Sequence, residues 1–138
     1  MAKSTVKRTR HAVYDTHVHL VFVTKYRREV FSDEMLTDCE MYMRRVCDSF
    51  GSELEEFNGE ADHVHLLVTQ PPTVSISALV NSLKGVSSRM IQKDHSAEIK
   101  KQLWSGALWS KSYYAATAGG APLSTLKQYI KDQDRPKT

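Results

Sequence analysis

Long apolar runs are missing from this sequence. None of its segments reaches the ~18 residues that a membrane-spanning helix needs, and the longest, around Leu20 to Val23, is strand-sized. Cysteine is scarce as well. Cys39 and Cys47 lie eight apart in one helical stretch without C-x-x-C spacing. That is too far for a bridge within a regular helix, so both read as reduced packing residues. No linker or low-complexity segment divides the chain. The basic opening MAKSTVKRTRH is not followed by the apolar block and small-residue cleavage site of a signal peptide. These absences lead to the expectation of a cytoplasmic protein with no membrane segment, built as one domain over residues 1–138.

What is present describes an ordinary globular chain: 41% apolar and 25% charged residues, enough for a core and too apolar for disorder. The net charge of +3 is modest but unevenly placed. Lys3, Lys7, Arg8 and Arg10 form a basic tail over residues 1–12, ahead of the first acidic residue, Asp15. Lys25, Arg27 and Arg28 follow the first strand. Such clusters suit a polyanionic partner, although charge alone is explained as well by a solvated tail and loop.

Residues 14–23 alternate and are rich in Val, Phe and Tyr, as a strand requires. Ser32 followed by Asp33 and Glu34 marks a helix start. Met35, Cys39, Tyr42, Met43, Val46 and Phe50 then keep helical spacing up to a stop at Gly51. Residues 53–58 and 62–69 read as paired strands turning at Asn58-Gly59, and Pro71-Pro72 ends the second. A helix from Ser75 carries Ile76, Leu79, Val80, Leu83, Val86 and Met90 on one face. A short helix is expected at 96–103 and a last strand at 111–117. After Gly119-Gly120, Pro122 suits the first turn of a final helix. The order β-α-β-β-α-β-α predicts an α+β, ferredoxin-like (RRM-like) βαββαβ fold with an antiparallel sheet and one added C-terminal helix.

The tetrapeptide HVHL occurs twice, at 17–20 and at 63–66. The first copy, within Asp15-Thr16-His17-Val18-His19, looks like the D-x-H-x-H opening of metal-dependent β/α barrels, which need ~250 residues; this chain is too short. In a strand, His63 and His65 share a face and stand about 7 Å apart along the backbone, so they could converge on one ion given a third ligand. Paired histidines on a sheet are common, and H-x-H alone is a weak signal. In the final helix, Leu123, Leu126 and Ile130 form an apolar stripe, with Tyr129 and Gln133 four apart on its flank.

Five stretches, HLVFVTKYRREVF (19–31), DHVHLLV (62–68), KGVSSRM (84–90), LWSKSYYAATAGG (108–120) and LKQYIKDQ (126–133), make the chain resemble the single-tyrosine HUH transposases of the simplest bacterial and archaeal insertion sequences, the IS200-like transposase family. The resemblance implies that His63 and His65 are metal ligands, that Gln133 is the third, and that the ion is Mg2+ or Mn2+. It makes Tyr129 the nucleophile, on a mobile catalytic helix spanning 121–134 and hinged at Gly119-Gly120. His17 and His19 become a look-alike of a metal site, with His19 left able to reach DNA or to support the site if it shares the active face.

The activity so implied is nicking and rejoining of single-stranded DNA at insertion-sequence ends through a 5′-phosphotyrosine, with recognition of subterminal hairpins and no ATP. The enzyme would be a metal-dependent single-strand endonuclease and strand transferase. A phenol of ordinary pKa, ~10, needs activation at neutral pH, and helical geometry puts neither Lys127 nor Lys131 beside the hydroxyl. Partners would be hairpin-bearing single strands and a second copy of the chain, a homodimer in which the tyrosine helix serves either its own site or the partner's. Lys25, Tyr26, Arg27, Arg28, Lys84, Arg89 and His19 are candidate DNA contacts, while Trp104, Trp109 and Tyr114 are expected mainly in the core. A histidine-triad hydrolase is excluded at Leu67, where its third histidine would stand. An RRM-like or domesticated hairpin-binding protein remains the alternative, although the strands lack the aromatic pattern of RNA-binding sheets.

Overall fold

The computed structural model describes residues 6–102, 107–118 and 120–136. Lys3, Trp104 and Gly119 lie outside them. A two-stranded hairpin, β1 (Lys7–Arg8) with β2 (Val13–Tyr14), precedes β3 (His17–Val23). A 3-10 turn at Lys25–Arg27 leads to α1 (Asp33–Ser49), then β4 (Glu53–Glu60), β5 (His63–Thr69), α2 (Ile76–Asp94), α3 (Ser96–Gln102), β6 (Tyr114–Ala118) and α4 (Gly120–Lys131). β4, β5, β3 and β6 form one antiparallel sheet in that order. Removing the hairpin and α3 leaves the expected βαββαβ order and α4, with β3 and β5 central. No helix among the described residues is long and apolar enough to cross a membrane.

Strand alternation divides the chemistry between two faces. Val18, Leu20 and Phe22 of β3 and Val64, Leu66 and Val68 of β5 are buried with Leu36, Met43, Leu79 and Leu83 from α1 and α2. Each such side chain contributes about 1.5–3 kcal/mol relative to exposure. The residues between them, His17, His19, His63, His65 and Leu67, face the other way, where Leu123 and Ile130 of α4 close over Leu67. α1 starts as its sequence dictates: the Ser32 hydroxyl accepts from Met35 N at 3.2 Å. Gly51, at φ 69°, follows it in the left-handed conformation that suits glycine. Ser75 caps α2 through Ala78 N at 3.1 Å.

Five expected boundaries differ. The strand expected at 14–23 breaks at Asp15-Thr16, where Thr16 meets Gln70 just beyond the two strand ends: its hydroxyl donates to the Gln70 carbonyl and its own carbonyl accepts from Gln70 N at 3.3 Å. Part of the expected basic tail is structured in β1, where Lys7 pairs with Glu53 at 2.7 Å. The β4–β5 turn falls at Ala61-Asp62, since Glu60 pairs with His63 and Gly59 with Val64. Gly59 instead permits close approach: a Cβ there would overlap the His63 carbonyl oxygen and lie 3.0 Å from Val64 Cα. Residues 111–113 stay outside β6 because Ser110 N donates to Val23 O at 2.8 Å and Lys84 Nζ holds the Ser110 and Lys111 carbonyls. Finally, α4 stops at Lys131, and Gln133 N bonds Ile130 O at 3.3 Å in a tightened closing turn.

Candidate active site

His63 begins β5 and His65 follows two residues later on the same face, their ring centroids 5.0 Å apart and nearly perpendicular. α4 lies against this face. Besides Leu123 and Ile130, it is held by Lys127 near Glu55 at 3.7 Å, Lys131 near Glu56 at 3.4 Å, and Asn58 Nδ2 donating to Lys131 O at 3.2 Å. This docking sets the Tyr129 ring edge-on to His65, centroids 5.3 Å apart, with the tyrosine 52% exposed and open to a substrate. It also sets Gln133 Oε1 3.2 Å from His63 Nε2. The four residues that the sequence singles out for chemistry, from two strand positions and one helix end, are therefore together. Both lysines beside Tyr129 in sequence are directed to carboxylates of β4.

The donors suit a divalent ion. Two atoms each ~2 Å from one ion lie about 2.8–3.3 Å apart at octahedral to tetrahedral angles, and Gln133 Oε1 and His63 Nε2 fall in that range. Among the described residues no three His, Cys, Asp or Glu are grouped to hold a metal; the third donor beside the two histidines is an amide. Burial first, then the charges of His63 and His19, push His65 down to about 4. It is neutral at pH 7, the form that ligates metals. Burial raises the Asp62 carboxyl, but the hydrogen bonds and charges of His63 and Arg27 together outweigh it, and the net value lies below the ordinary range.

His19 shares the active face. Its Nε2 is 3.0 Å from His65 Nδ1, and the rings are stacked. His17, by contrast, is buried and bound at both nitrogens, Nδ1 to Glu55 at 2.6 Å and Nε2 to Asp15 at 2.7 Å, with Thr69 Oγ1 at 3.1 Å. Held by Asp15, Glu55 and Thr69, His17 makes none of the ring contacts that join His19, His63, His65 and Tyr129. Three nearby residues carried no sequence signal strong enough to single them out for the site: Asp62, Glu60, whose Oε2 lies 3.7 Å from His63 Nε2, and Tyr114. Expected mainly in the core, Tyr114 is 56% exposed and meets the His19 ring edge-on at 5.7 Å. Trp109 is buried as expected, donating from Nε1 to Ser87 Oγ at 2.9 Å between Phe22 and Phe31.

The remaining candidates follow β3 or lie on α2. Tyr26 is 75% exposed, with Lys25 Nζ and Arg28 Cζ 5.4 and 5.7 Å from its ring centroid. A cavity of about 300 Å³ opens beside it, lined by Lys25, Tyr26, Ala107, Trp109, Ser110 and Lys111. Arg27 pairs with Asp62, and Arg28 donates to Gln102 O at 2.7 Å. Arg89 is exposed on α2. Lys84 is partly buried, its pKa lowered by that burial, and gives two hydrogen bonds to the 110–111 carbonyls.

The family described as "Transposase IS200 like" matches residues 12–133. The ISDra2 transposase TnpA of Deinococcus radiodurans is 31% identical over 128 residues, 93% of this chain and 91% of that protein. The transposase for insertion sequence element IS200 of Salmonella typhimurium is 31% identical over 123 residues, 89% of this chain and 80% of that protein. A crystal structure from Deinococcus radiodurans, of a protein assigned as a transposase, superposes with a TM-score of 0.73 at 32% identity, covering 94% of this chain and 98% of that one. A tyrosine transposase solved with a REP hairpin has the same fold, with a TM-score of 0.61 at 13% identity over 90% and 69% of the two chains. This chain belongs to the IS200-like transposase family.

Proposed function

We propose that this transposase cuts and rejoins single-stranded DNA at the ends of its insertion sequence, with Tyr129 as nucleophile and His63, His65 and Gln133 holding Mg2+ or Mn2+. The observation that carries this reading is the convergence of one half-exposed phenol, two imidazoles and one amide oxygen on the uncovered end of the α4 face. The ion, when bound, would supply Lewis-acid polarisation of a non-bridging phosphate oxygen. A neutral His/His/Gln set leaves its charge undiminished for that purpose.

The chain's own residues orient and react. Tyr129 loses its phenolic proton as its oxygen bonds to phosphorus; the P–O3′ bond breaks, and the departing 3′ oxygen takes up a proton. The product is a 5′-phosphotyrosine ester and a free 3′-hydroxyl. The ester conserves the bond, so a 3′-hydroxyl from another strand reverses the step and joins new ends. Tyr114 and Tyr26 supply exposed stacking surfaces, with Lys25, Arg27, Arg28, Arg89 and His19 as polar or cationic contacts. Lys84 adds only the ammonium hydrogen that its two carbonyl bonds leave over. Hairpins near the ends are the recognised feature in this reading, and the REP hairpin held by the structural neighbour supports it. The working unit is a homodimer, in which α4 can serve its own sheet or the partner's.

End-labelled strands from the DNA flanking the gene, incubated with Mn2+ or Mg2+, test this on a denaturing gel. The expected result is a protein–DNA adduct formed with single strands, absent with duplex, without metal, and with Tyr129→Phe. Hairpin binding with no adduct under any condition would make the protein a domesticated binder instead.

A further inference from the structure

Asp62 occupies the second position of the two-residue β4–β5 turn and stands directly before His63. Its backbone is fixed from two sides: its carbonyl accepts from Thr24 N at 2.9 Å and Thr24 Oγ1 at 3.2 Å, while the neighbouring Ala61 carbonyl accepts from Val30 N and Phe31 N, both at 2.9 Å. Its side chain is then divided. Oδ1 lies 2.7 Å from His63 Nδ1, and Oδ2 lies 3.3 Å from Arg27 Nε. A carboxylate only accepts, so Nδ1 carries a hydrogen, and in the neutral ring the lone pair is then on Nε2. Nε2 faces two further acceptors, Gln133 Oε1 at 3.2 Å and Glu60 Oε2 at 3.7 Å, oxygens that a cation between them and Nε2 would bring together.

The other end of this chain of contacts is strained. Tyr26 and Arg27 are consecutive non-glycine residues at φ 59° and 54°, a left-handed conformation that side chains with a Cβ disfavour. It persists where the surroundings hold it. Here Arg27 N donates to Thr24 O at 2.9 Å, Lys25 N to Leu108 O at 2.9 Å, and the Arg27 guanidinium reaches Asp62. The turn that carries Tyr26 and the strand that carries His63 thus share one carboxylate.

We propose that Asp62 is a positioning residue: it fixes His63 in the Nδ1–H form with Nε2 toward the metal position, and Arg27 holds Asp62 in the orientation that does so. This rests on the reading of His63 as a metal ligand, and a carboxylate behind a ligating imidazole typically changes metal affinity by about 10- to 100-fold. A purely structural Asp62, serving only to shape the turn, would leave the imidazole's hydrogen unaffected.

Two measurements on the full chain separate these cases: the imidazole 15N shifts of metal-free protein, which report the tautomer of His63, and Mn2+ affinity by titration calorimetry. In the unsubstituted protein His63 is expected as the Nδ1–H tautomer. Asp62→Ala should mix the tautomers and weaken Mn2+ binding about 10- to 100-fold. Asp62→Asn, which keeps an acceptor of the same shape, should restore the tautomer and part of the affinity. Arg27→Ala, removing an exposed pair, should weaken binding about threefold; no change would remove Arg27 from the proposal. An Asp62→Ala protein that folds, keeps the Nδ1–H tautomer and binds Mn2+ within about twofold of the original overturns it. If Asp62→Ala does not fold, Asp62→Asn and Arg27→Ala decide. If the unsubstituted protein binds no Mn2+, the metal reading itself fails, while the 15N shifts still judge the Asp62–His63 pairing independently.

Discussion

Gly59→Ala should damage the protein far more than its position in an Asn-Gly pair would lead one to expect. The glycine is inside β4, paired with Val64, and the new methyl would overlap the His63 carbonyl oxygen and lie 3.0 and 3.1 Å from Val64 Cα and Cγ1. Two of these three neighbours are backbone, so relief requires β4 and β5 to part locally. Overpacking of this kind costs about 1–3 kcal/mol, and each ladder hydrogen bond weakened adds roughly 0.5–1.5 kcal/mol. The expected loss is about 2–4 kcal/mol, or about 1–2 M in a urea midpoint for an m-value near ~2 kcal/mol/M. Because the displaced atom is the His63 carbonyl, Mn2+ affinity should fall with stability. Gly85→Ala is the internal contrast: it sits in exposed α2 with nothing within 4 Å of a new Cβ, and should stabilise by about 0.5–1 kcal/mol. Urea unfolding of both variants decides. A Gly59→Ala loss under ~0.5 kcal/mol, the range of an ordinary surface change, would refute the close-approach reasoning.

Three further outcomes follow from the side-chain environments. Lys84→Met should lower stability by about 1.5–3 kcal/mol, since it strips two carbonyls of a charged donor; an unchanged urea midpoint would show that those bonds contribute nothing. Cys39 and Cys47 should resist alkylation at pH 8 in the folded protein, because burial first and neighbouring carboxylates next raise both, Cys47 to about 12; reaction at the rate of a free thiol would contradict the packing. His65 has a folded pKa depressed from 6.5 to about 4, so between those values the unfolded chain binds the proton and the folded one does not. Its contribution is present above pH 6.5 and is lost as pH falls toward 4. His65→Gln should flatten that part of the stability–pH curve, and an unaltered slope would dismiss the effect.

The sequence was most legible where a local rule and the final structure agree. The cap at Ser32, the start of α2 at Ser75 and the alternation of β3 and β5 depend on near neighbours, and they appear where expected. The H-x-H pair needs only strand period two to share a face, and α4 needs only its apolar stripe to bring Tyr129 beside it. Elsewhere long-range contacts decided. Asn58-Gly59 has the composition of a turn, but the pairing of Glu60 with His63 moves the turn on to Ala61-Asp62 and leaves the glycine for close approach. Lys84 reads as a free cation until the 110–111 carbonyls are seen against it. Tyr114 reads as a core residue until β6 is placed at the sheet edge beside His19. Asp62 is the clearest case: its two partners are His63, adjacent in sequence, and Arg27, 35 residues away. Only the fold shows that one carboxylate serves both.

The most direct test of the central claim is to locate the covalent bond. Single-stranded DNA carrying the cleavage site would be reacted with the protein and Mn2+, the adduct digested with protease and nuclease, and the nucleotide-bearing peptide sequenced by mass spectrometry. The account predicts a nucleotide 5′-phosphate on Tyr129 and on no other residue. The modification on Tyr114, Tyr26 or a serine, or cleavage that proceeds at full rate with Tyr129→Phe, would contradict it.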